Sequence, residues 1–445
     1  MGDNYRILLT FLRGCRGLCD RASWLLPRMT SFLRSLLSAS ISVAAAIKAG
    51  VPIAVPSLKD LLLLLSLFSL VSAILGFISL SLHKFSIELN PKASEIKPTA
   101  QQPAVIYEDV GQAMWTDPLV NRAIEAGDNP IEYVKKLRPV DPLVSSFLPQ
   151  FILGLRNERT RAGLGTFDEK KLGLLTDITL DVLARKGKMV IQRTSYFRDR
   201  LSNGLLNWRV RLKGRIAFDF VDEAFDHVKQ PNGSTVWQLK DLANSDLSNQ
   251  LGGSALLITS DGYVIYLMQA GRSSENADKL APSGSGSFDC DNIRPFLKQS
   301  LQQFARAEMT RELCEECGLR REDVAAIQIC GFGRYLYRAG KPEFFGLATT
   351  SKTYNDVSVP IRELDWQHKK KFGMRLTLDR SAGIASVRDE LAAGLEKHAR
   401  ELENNHASRP VSGPLLWNIR VAVDYLRHTT DTHLSKLLQP LISTG

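Results

Sequence analysis

The sequence predicts an α/β protein in which N-terminal transmembrane helices precede a soluble part built of strands and helices. Three observations carry this expectation: an uncharged apolar run at 61–82, a strand–turn–strand pattern at 254–268, and amphipathic helical spacing over 299–318, 387–402 and 412–426. A chain of 445 residues has room for two or three domains.

The apolar run reads LLLLLSLFSLVSAILGFISLSL and contains no charged residue. At about 1.5 Å per residue it spans about 33 Å, the thickness of a bilayer core. A soluble helix of that length would need a polar face, and this one has none. A second apolar stretch, Leu36 to Val55, is weaker because it carries Lys48 and Pro52. The polar connector at 56–60 between them suits a two-helix hairpin; one span, or one span with an interfacial helix, are the alternatives. Arg6, Arg13, Arg16, Arg21, Arg28 and Arg34 precede the stretches, and His83, Lys84, Lys92 and Lys97 follow them. Positive flanks stay on the cytoplasmic side, so a hairpin keeps residues 105–445 cytoplasmic and makes the lipid bilayer a partner. A cleavable signal peptide is not expected, because the long apolar run begins only near residue 61.

Residues 1–88 thus form an expected membrane region, and 89–104 a linker with prolines at 91, 98 and 103. Residues 105–250 read as a mixed α/β middle region, with helical spacing at 117–126 and 176–184 and strands at 189–192 and 209–212. Residues 251–445 read as a further α/β domain with C-terminal helices. Ser260-Asp261-Gly262 is a tight turn between two apolar strands, a strong hairpin signal. Ala281 to Ser287 is a glycine-rich loop, the helix over 299–318 stops at Gly318, and short strands are expected at 325–330 and 343–347.

A net charge of +10 favours anionic partners: lipid head groups, nucleotides or nucleic acid. The six cysteines, at 15, 19, 290, 314, 317 and 330, show no disulfide spacing and read as reduced thiols of a cytosolic part. Cys314 and Cys317 form a CxxC without a second pair, so zinc is not expected. Residues 185–215 hold ten basic side chains and one acid, Asp199, interleaved with Tyr196, Phe197 and Trp208. Cations beside aromatic rings suit a phosphate-and-base ligand, with Arg209, Arg211 and Lys213 as candidates. A solvated basic face with its rings turned inward is the other reading of the same pattern.

Chemistry concentrates in Arg311-Glu312-Leu313-Cys314-Glu315-Glu316-Cys317-Gly318-Leu319. On a helix Glu312, Glu315 and Glu316 share a face, and Glu308 joins them one turn earlier. Four carboxylates on one face repel, and Mg2+ or Mn2+ would relieve that cost through oxygen ligands. Arg311 can tie the helix to the preceding loop, and Gly318 permits the left-handed turn that ends it.

This run resembles the second half of the NUDIX box, Arg-Glu-aliphatic-x-Glu-Glu-x-Gly-aliphatic, at every fixed position. The hairpin and glycine loop precede it in the family's order, and the resemblance covers about residues 250 to 375. It implies an αβα domain in which Glu312, Glu315 and Glu316 hold metal against a diphosphate, Arg311 is structural, and water attacks phosphorus. Gly284 and Gly286 would lie at the nucleotide. The first half of the box departs: Gln303 stands where the family has its first Glu, and Leu297 where it has its glycine. About 11 residues, near 288–298, are inserted between loop and helix. Glu308 could replace the lost carboxylate.

The order of membrane hairpin, basic region and altered box is similar to that of the transmembrane-NUDIX effectors of bacterial cyclic-oligonucleotide anti-phage systems. That similarity implies an inner-membrane protein with a cytoplasmic soluble part. It would bind a nucleotide second messenger, self-associate and disrupt the membrane, with no stable nucleic-acid partner. An anchored NUDIX hydrolase cleaving a nucleoside diphosphate derivative is the alternative, and a scaffold that does neither is the third.

Overall fold

The computed structural model describes residues 85–90, 103–135, 168–212, 215–229, 233, 235–269, 276–360 and 368–442. The expected membrane spans, most of the linker and Lys213 lie outside the described residues. Among the described residues no helix is long and apolar enough to cross a membrane.

In chain order the first strands are β1 (Phe85–Leu89), β2 (Val105–Asp109), β3 (Gln112–Thr116), β4 (Ile131–Val134), β5 (Lys170–Leu174) and β6 (Met189–Ser195). Then come β7 (Trp208–Leu212), β8 (Arg215–Asp219), β9 (Phe225–Lys229), β10 (Thr235–Leu239), β11 (Gly252–Ile258) and β12 (Tyr263–Gln269). The last are β13 (Leu280–Ala281), β14 (Gly284–Ser287), β15 (Val324–Tyr335), β16 (Lys341–Thr350) and β17 (His368–Arg375). The α-helices are α1 (Pro118–Ile124), α2 (Leu180–Ala184), α3 (Tyr196–Arg200), α4 (Phe220–Ala224), α5 (Leu301–Cys317), α6 (Ile384–Asn404), α7 (Gly413–His428) and α8 (Asp431–Leu438).

The described residues fall into two compact units, one holding 85–89, 209–212 and 215–218 and the other the rest. In the first, β1, β7 and β8 form a small sheet in that order. Arg209 and Arg211 on β7 both pair with Glu88 on β1, the latter at 2.6 Å. The hydrogen bond from Arg211, followed by that from Arg209, outweighs desolvation and holds the Glu88 carboxyl below its usual range. These arginines, expected to bind nucleotide, are therefore cross-strand partners of a carboxylate in their own sheet. Reversing both charges (Arg209→Glu with Arg211→Glu) would set three carboxylates on adjacent strands. The expected result is faster proteolysis within 85–89 and 208–219 than in wild type, with no such change in the neutral Arg209→Gln, Arg211→Gln variant; equal cleavage of the charge-reversed and wild-type proteins would show that this pairing does not hold the strands.

The second unit is organised by a nine-stranded sheet of order β13-β12-β11-β16-β15-β3-β2, with β14 also on β11 and β17 on β12. Its central strands are buried on both faces. Leu256, Ile258, Val264 and Tyr266 pack with α6, α7 and α8, whereas Ala255, Leu257, Ile265 and Leu267 pack with Phe304, Met309 and Leu313 of α5. The two-residue alternation along β11 and β12 thus feeds two cores, and the layers run helix, sheet, helix. The boundary expected at residue 250 is not where the chain divides. β2 and β3 of the middle region extend this same sheet, through pairing of Thr116 with Gly333.

Several elements differ in extent from expectation. The strand expected at 325–330 continues to Tyr335 through Gly331 and Gly333. These glycines are close-approach points. A Cβ at Gly331 would lie 2.6 Å from Asn121 of α1, and one at Gly333 2.5 Å from Met114 Sδ of β3. The hairpin at Gly262 (φ 84°) forms, but only Leu257 and Ile258 pair across it. The start of β11 pairs instead with β14 and, in parallel, with β16. The glycine-rich loop is therefore partly a strand.

Candidate functional site

Helix α5 begins at Ser300, whose Oγ accepts from Gln303 N at 3.3 Å while Gln303 Oε1 accepts from Ser300 N at 3.2 Å. The residue standing where the family has its first glutamate is thus committed to a capping box. The helix ends on Gly318 in the left-handed region (φ 62°), where a Cβ would lie 2.3 Å from Ser358 O. Leu301, Phe304, Met309, Leu313 and Cys317 anchor one side of α5 in the core. That fixes Glu308, Glu312 and Glu316, themselves only 2%, 8% and 2% exposed, against β14 and the segment after it.

The two glycines of β14 make this approach feasible. A Cβ at Gly284 would lie 2.7 Å from Leu313 N, and one at Gly286 2.1 Å from Glu312 Oε1. Glu316 Oε2 accepts from Ser285 N at 3.0 Å. Glu308 accepts from Asp289 N at 3.0 Å and from Asn292 Nδ2 at 2.9 Å. The inserted segment, folded as short 3-10 turns at Cys290–Asn292 and Arg294–Phe296, is therefore tied down by Glu308.

Arg311 occupies the middle of the carboxylates. It donates to Glu312 at 2.5 Å, Glu315 at 2.8 Å and Glu308 at 3.2 Å, and lies 3.4 Å from Asp289. Burial works against its charge, but Glu312, Glu308 and Asp289 outweigh it and raise the Arg311 pKa. Lys171 pairs with Asp289 at 2.5 Å and with Glu169 at 2.8 Å. Burial, reinforced by Glu316 and Glu315 and opposed by Arg311, pushes Glu312 up to about 8.

The geometry gives the carboxylates of the expected metal set partners within the protein. Among the described residues no group of three or more His, Cys, Asp or Glu stands ready to hold a metal ion. Glu308 and Glu316 are bonded to backbone amides, and the rest converge on a guanidinium. The donor chemistry nevertheless fits Mg2+ or Mn2+: Glu312, Glu315 and Asp289 are hard oxygen donors gathered around Arg311, with Lys171 on the Asp289 side. Arg311 Nε is buried without a hydrogen-bond partner, so the guanidinium is not fully satisfied where it sits.

The cluster forms one wall of a cleft of about 710 Å3. Gly286, Asp289, Arg311, Glu312 and Glu315 line it, with Lys171 and Glu169 beside them. Neither Arg209 nor Arg211 is among its lining residues. From the basic stretch at 185–215 the cleft takes an aromatic ring, Tyr196, and the single acid, Asp199. Asp199 is buried and pairs with Arg338. Gln250, Ser254, Tyr335, Tyr337, Lys341 and Glu343 line it as well. Lys341 bonds Glu343 at 2.5 Å, and Ser254 Oγ donates to Glu343 at 3.0 Å. No motif marks these residues in the chain; parallel pairing of β11 with β16, which puts Gly252 in register with Glu343, brings Ser254 to Glu343.

No family model matches the chain, and no curated protein matches it. Among solved structures it is similar to a MutT protein from Methanosarcina mazei Go1, with 15% identity and a TM-score of 0.25 over 40% of this chain and 96% of that one. It is also similar to DR0079 from Deinococcus radiodurans, with 12% identity and a TM-score of 0.25 over 44% of this chain and 96% of that one. At such TM-scores neither likeness adds weight to what the site's own geometry shows.

Proposed function

We propose that the second unit is a NUDIX-like domain that binds a phosphate-containing nucleotide, with Glu312, Glu315 and Asp289 as the side chains that would hold Mg2+ or Mn2+. One observation carries this: a buried, glycine-cradled carboxylate cluster on α5 forms the wall of a cleft large enough for a nucleotide. When bound, the metal would neutralise phosphate charge. Lys171 and Arg311 would take the phosphate oxygens, and the ordered segment at 288–298 would exclude water from one side.

Within this proposal the chain acts as a membrane effector. A nucleotide second messenger, a cyclic oligonucleotide, binds the cytoplasmic domain, and the assembled apolar N-terminal region disrupts the inner membrane. Supporting it are the apolar run at 61–82 and the commitment of Gln303 to a helix cap, which keeps that position out of the acidic cluster. Hydrolysis of a nucleoside diphosphate derivative is the second reading. The complete Arg311-Glu312-x-x-Glu315-Glu316 half of the box supports that reading. Mass spectrometry of ligand released from the purified full-length protein separates the two. Recovery of an intact cyclic oligonucleotide is the expected result; a nucleoside monophosphate product would replace sensing with hydrolysis. An introduced cysteine in residues 105–445 should resist an impermeant thiol reagent added from outside, and labelling from that side would reject the cytoplasmic topology.

A further inference from the structure

The small sheet of β1, β7 and β8 carries features that nucleotide binding does not use. Its described residues, 85–89, 209–212 and 215–218, include three arginines and one glutamate, a surplus of two positive charges. Glu88 is that glutamate, and one of its oxygens, Oε1, accepts from both Arg209 and Arg211. One negative charge shared by two guanidiniums leaves the sheet positive. Arg215 is exposed and makes no ion pair among the described residues. The two most exposed large apolar side chains among the described residues also lie here, on the two outer strands: Leu89 of β1 at 65% and Ile216 of β8 at 47%. Single exposed apolar side chains are ordinary. Cations and exposed apolar groups gathered on so small a sheet suit the boundary between lipid headgroups and acyl chains.

Chain length brings that boundary within reach. The uncharged run ends at Leu82, three residues before β1 begins at Phe85. Three extended residues reach about 10 Å. That is about one Debye length at 0.1 M salt. With 61–82 in a bilayer, β1 starts inside the field of the headgroups, and strand pairing keeps β7 and β8 within about 5 Å of their neighbours.

We propose that the β1–β7–β8 sheet is a lipid-binding surface that seats on the bilayer beside the apolar run and selects anionic headgroups. Arg209, Arg211 and Arg215 attract lipid phosphate, and Leu89 and Ile216 supply apolar contact. This rests on residues 61–82 lying in a bilayer, and the test keeps the two apart.

Full-length protein is reconstituted into bilayers of phosphatidylcholine alone or of equal parts phosphatidylcholine and phosphatidylglycerol. Amide hydrogen exchange is read at 85–89 and 209–218, with α5 as internal reference. Exchange in the sheet should be at least about fivefold slower in the anionic bilayer, and about 0.5 M salt should remove most of that difference. Exchange in α5 should not change. Arg215→Gln with Ile216→Ser should lose at least half of the protection while exchanging like wild type in phosphatidylcholine, because both positions are exposed. Should the double variant exchange faster there, Arg215→Gln alone serves the same comparison. Equal exchange of the wild-type sheet in the two bilayers overturns the proposal whatever the variants do, and so does a variant that keeps full protection. Protection that grows with protein density at fixed lipid composition assigns the surface to a second copy and overturns it as well. If alkaline carbonate strips the protein from both bilayers, residues 61–82 are not inserted, and the membrane reading fails with this surface. A protein that stays inserted but exchanges equally in both bilayers loses only the lipid-binding surface.

Discussion

Metal-free protein is expected to lose thermal stability steadily as pH rises from about 5 to 9, and Glu312→Gln is expected to flatten that slope. Glu312 ionises near 4.5 when exposed, whereas burial, with Glu316 and Glu315 nearby, raises it to about 8 in the fold. The folded state therefore holds a proton that the unfolded chain releases. The stability this confers is fully present below about 4.5 and is lost as pH passes through about 8. Glutamine keeps the neutral shape at every pH and removes the dependence. Mn2+ at pH 8.5 should recover the lost stability in wild type, because it replaces the missing proton with a better partner, and much less in Glu312→Gln. Thermal melts at five pH values, with and without Mn2+, measure all of this. A wild-type melting temperature that rises between pH 6 and 9 would refute the assignment of Glu312 as a buried, protonated acid.

Gly284→Ala and Gly286→Ala should have opposite consequences, although they lie two residues apart on one strand. The methyl at 284 would meet Leu313 backbone N at 2.7 Å and Cα at 2.9 Å, atoms held within α5. Neither strand nor helix can yield without disturbing the core around Phe304, Met309 and Leu313. Overpacking of this kind costs about 1–3 kcal/mol or more, a fall of several degrees in melting temperature for a unit of this size. The methyl at 286 would meet only the Glu312 carboxylate, at 2.1–2.5 Å, the far end of a flexible side chain. Glu312 can swing away, so the fold should survive with a melting temperature close to wild type. Its carboxylate would no longer face Arg311 and the cleft, and Mn2+-dependent nucleotide binding should fall at least tenfold. Equal melting temperatures for the two variants, or full binding by Gly286→Ala, would contradict the cradle role of β14.

The acidic helix, its glycine stop, the tight turn at Gly262 and the C-terminal helices at Val387–Leu402 and Leu416–Leu426 were all legible along the chain. Each is a local pattern: charge spacing, a residue tolerant of positive φ, or a 3.6-residue apolar period. The identity of the carboxylates was legible too, because Arg311 to Leu319 is contiguous. What those carboxylates do was decided by the tertiary structure. Spacing placed Glu308, Glu312, Glu315 and Glu316 on one face but could not show that backbone amides from 285 and 289 would take two of them. Nor could it show that Arg311 would sit among the others. Likewise the cations at 209 and 211 were legible as charge, while their partner Glu88 lies more than a hundred residues away in sequence. Ser254 and Glu343, which both line the cleft, lie on strands brought together by parallel pairing of β11 with β16. Such pairing is specified by burial on both faces of a sheet, a property of the assembled layers that no window of the chain displays.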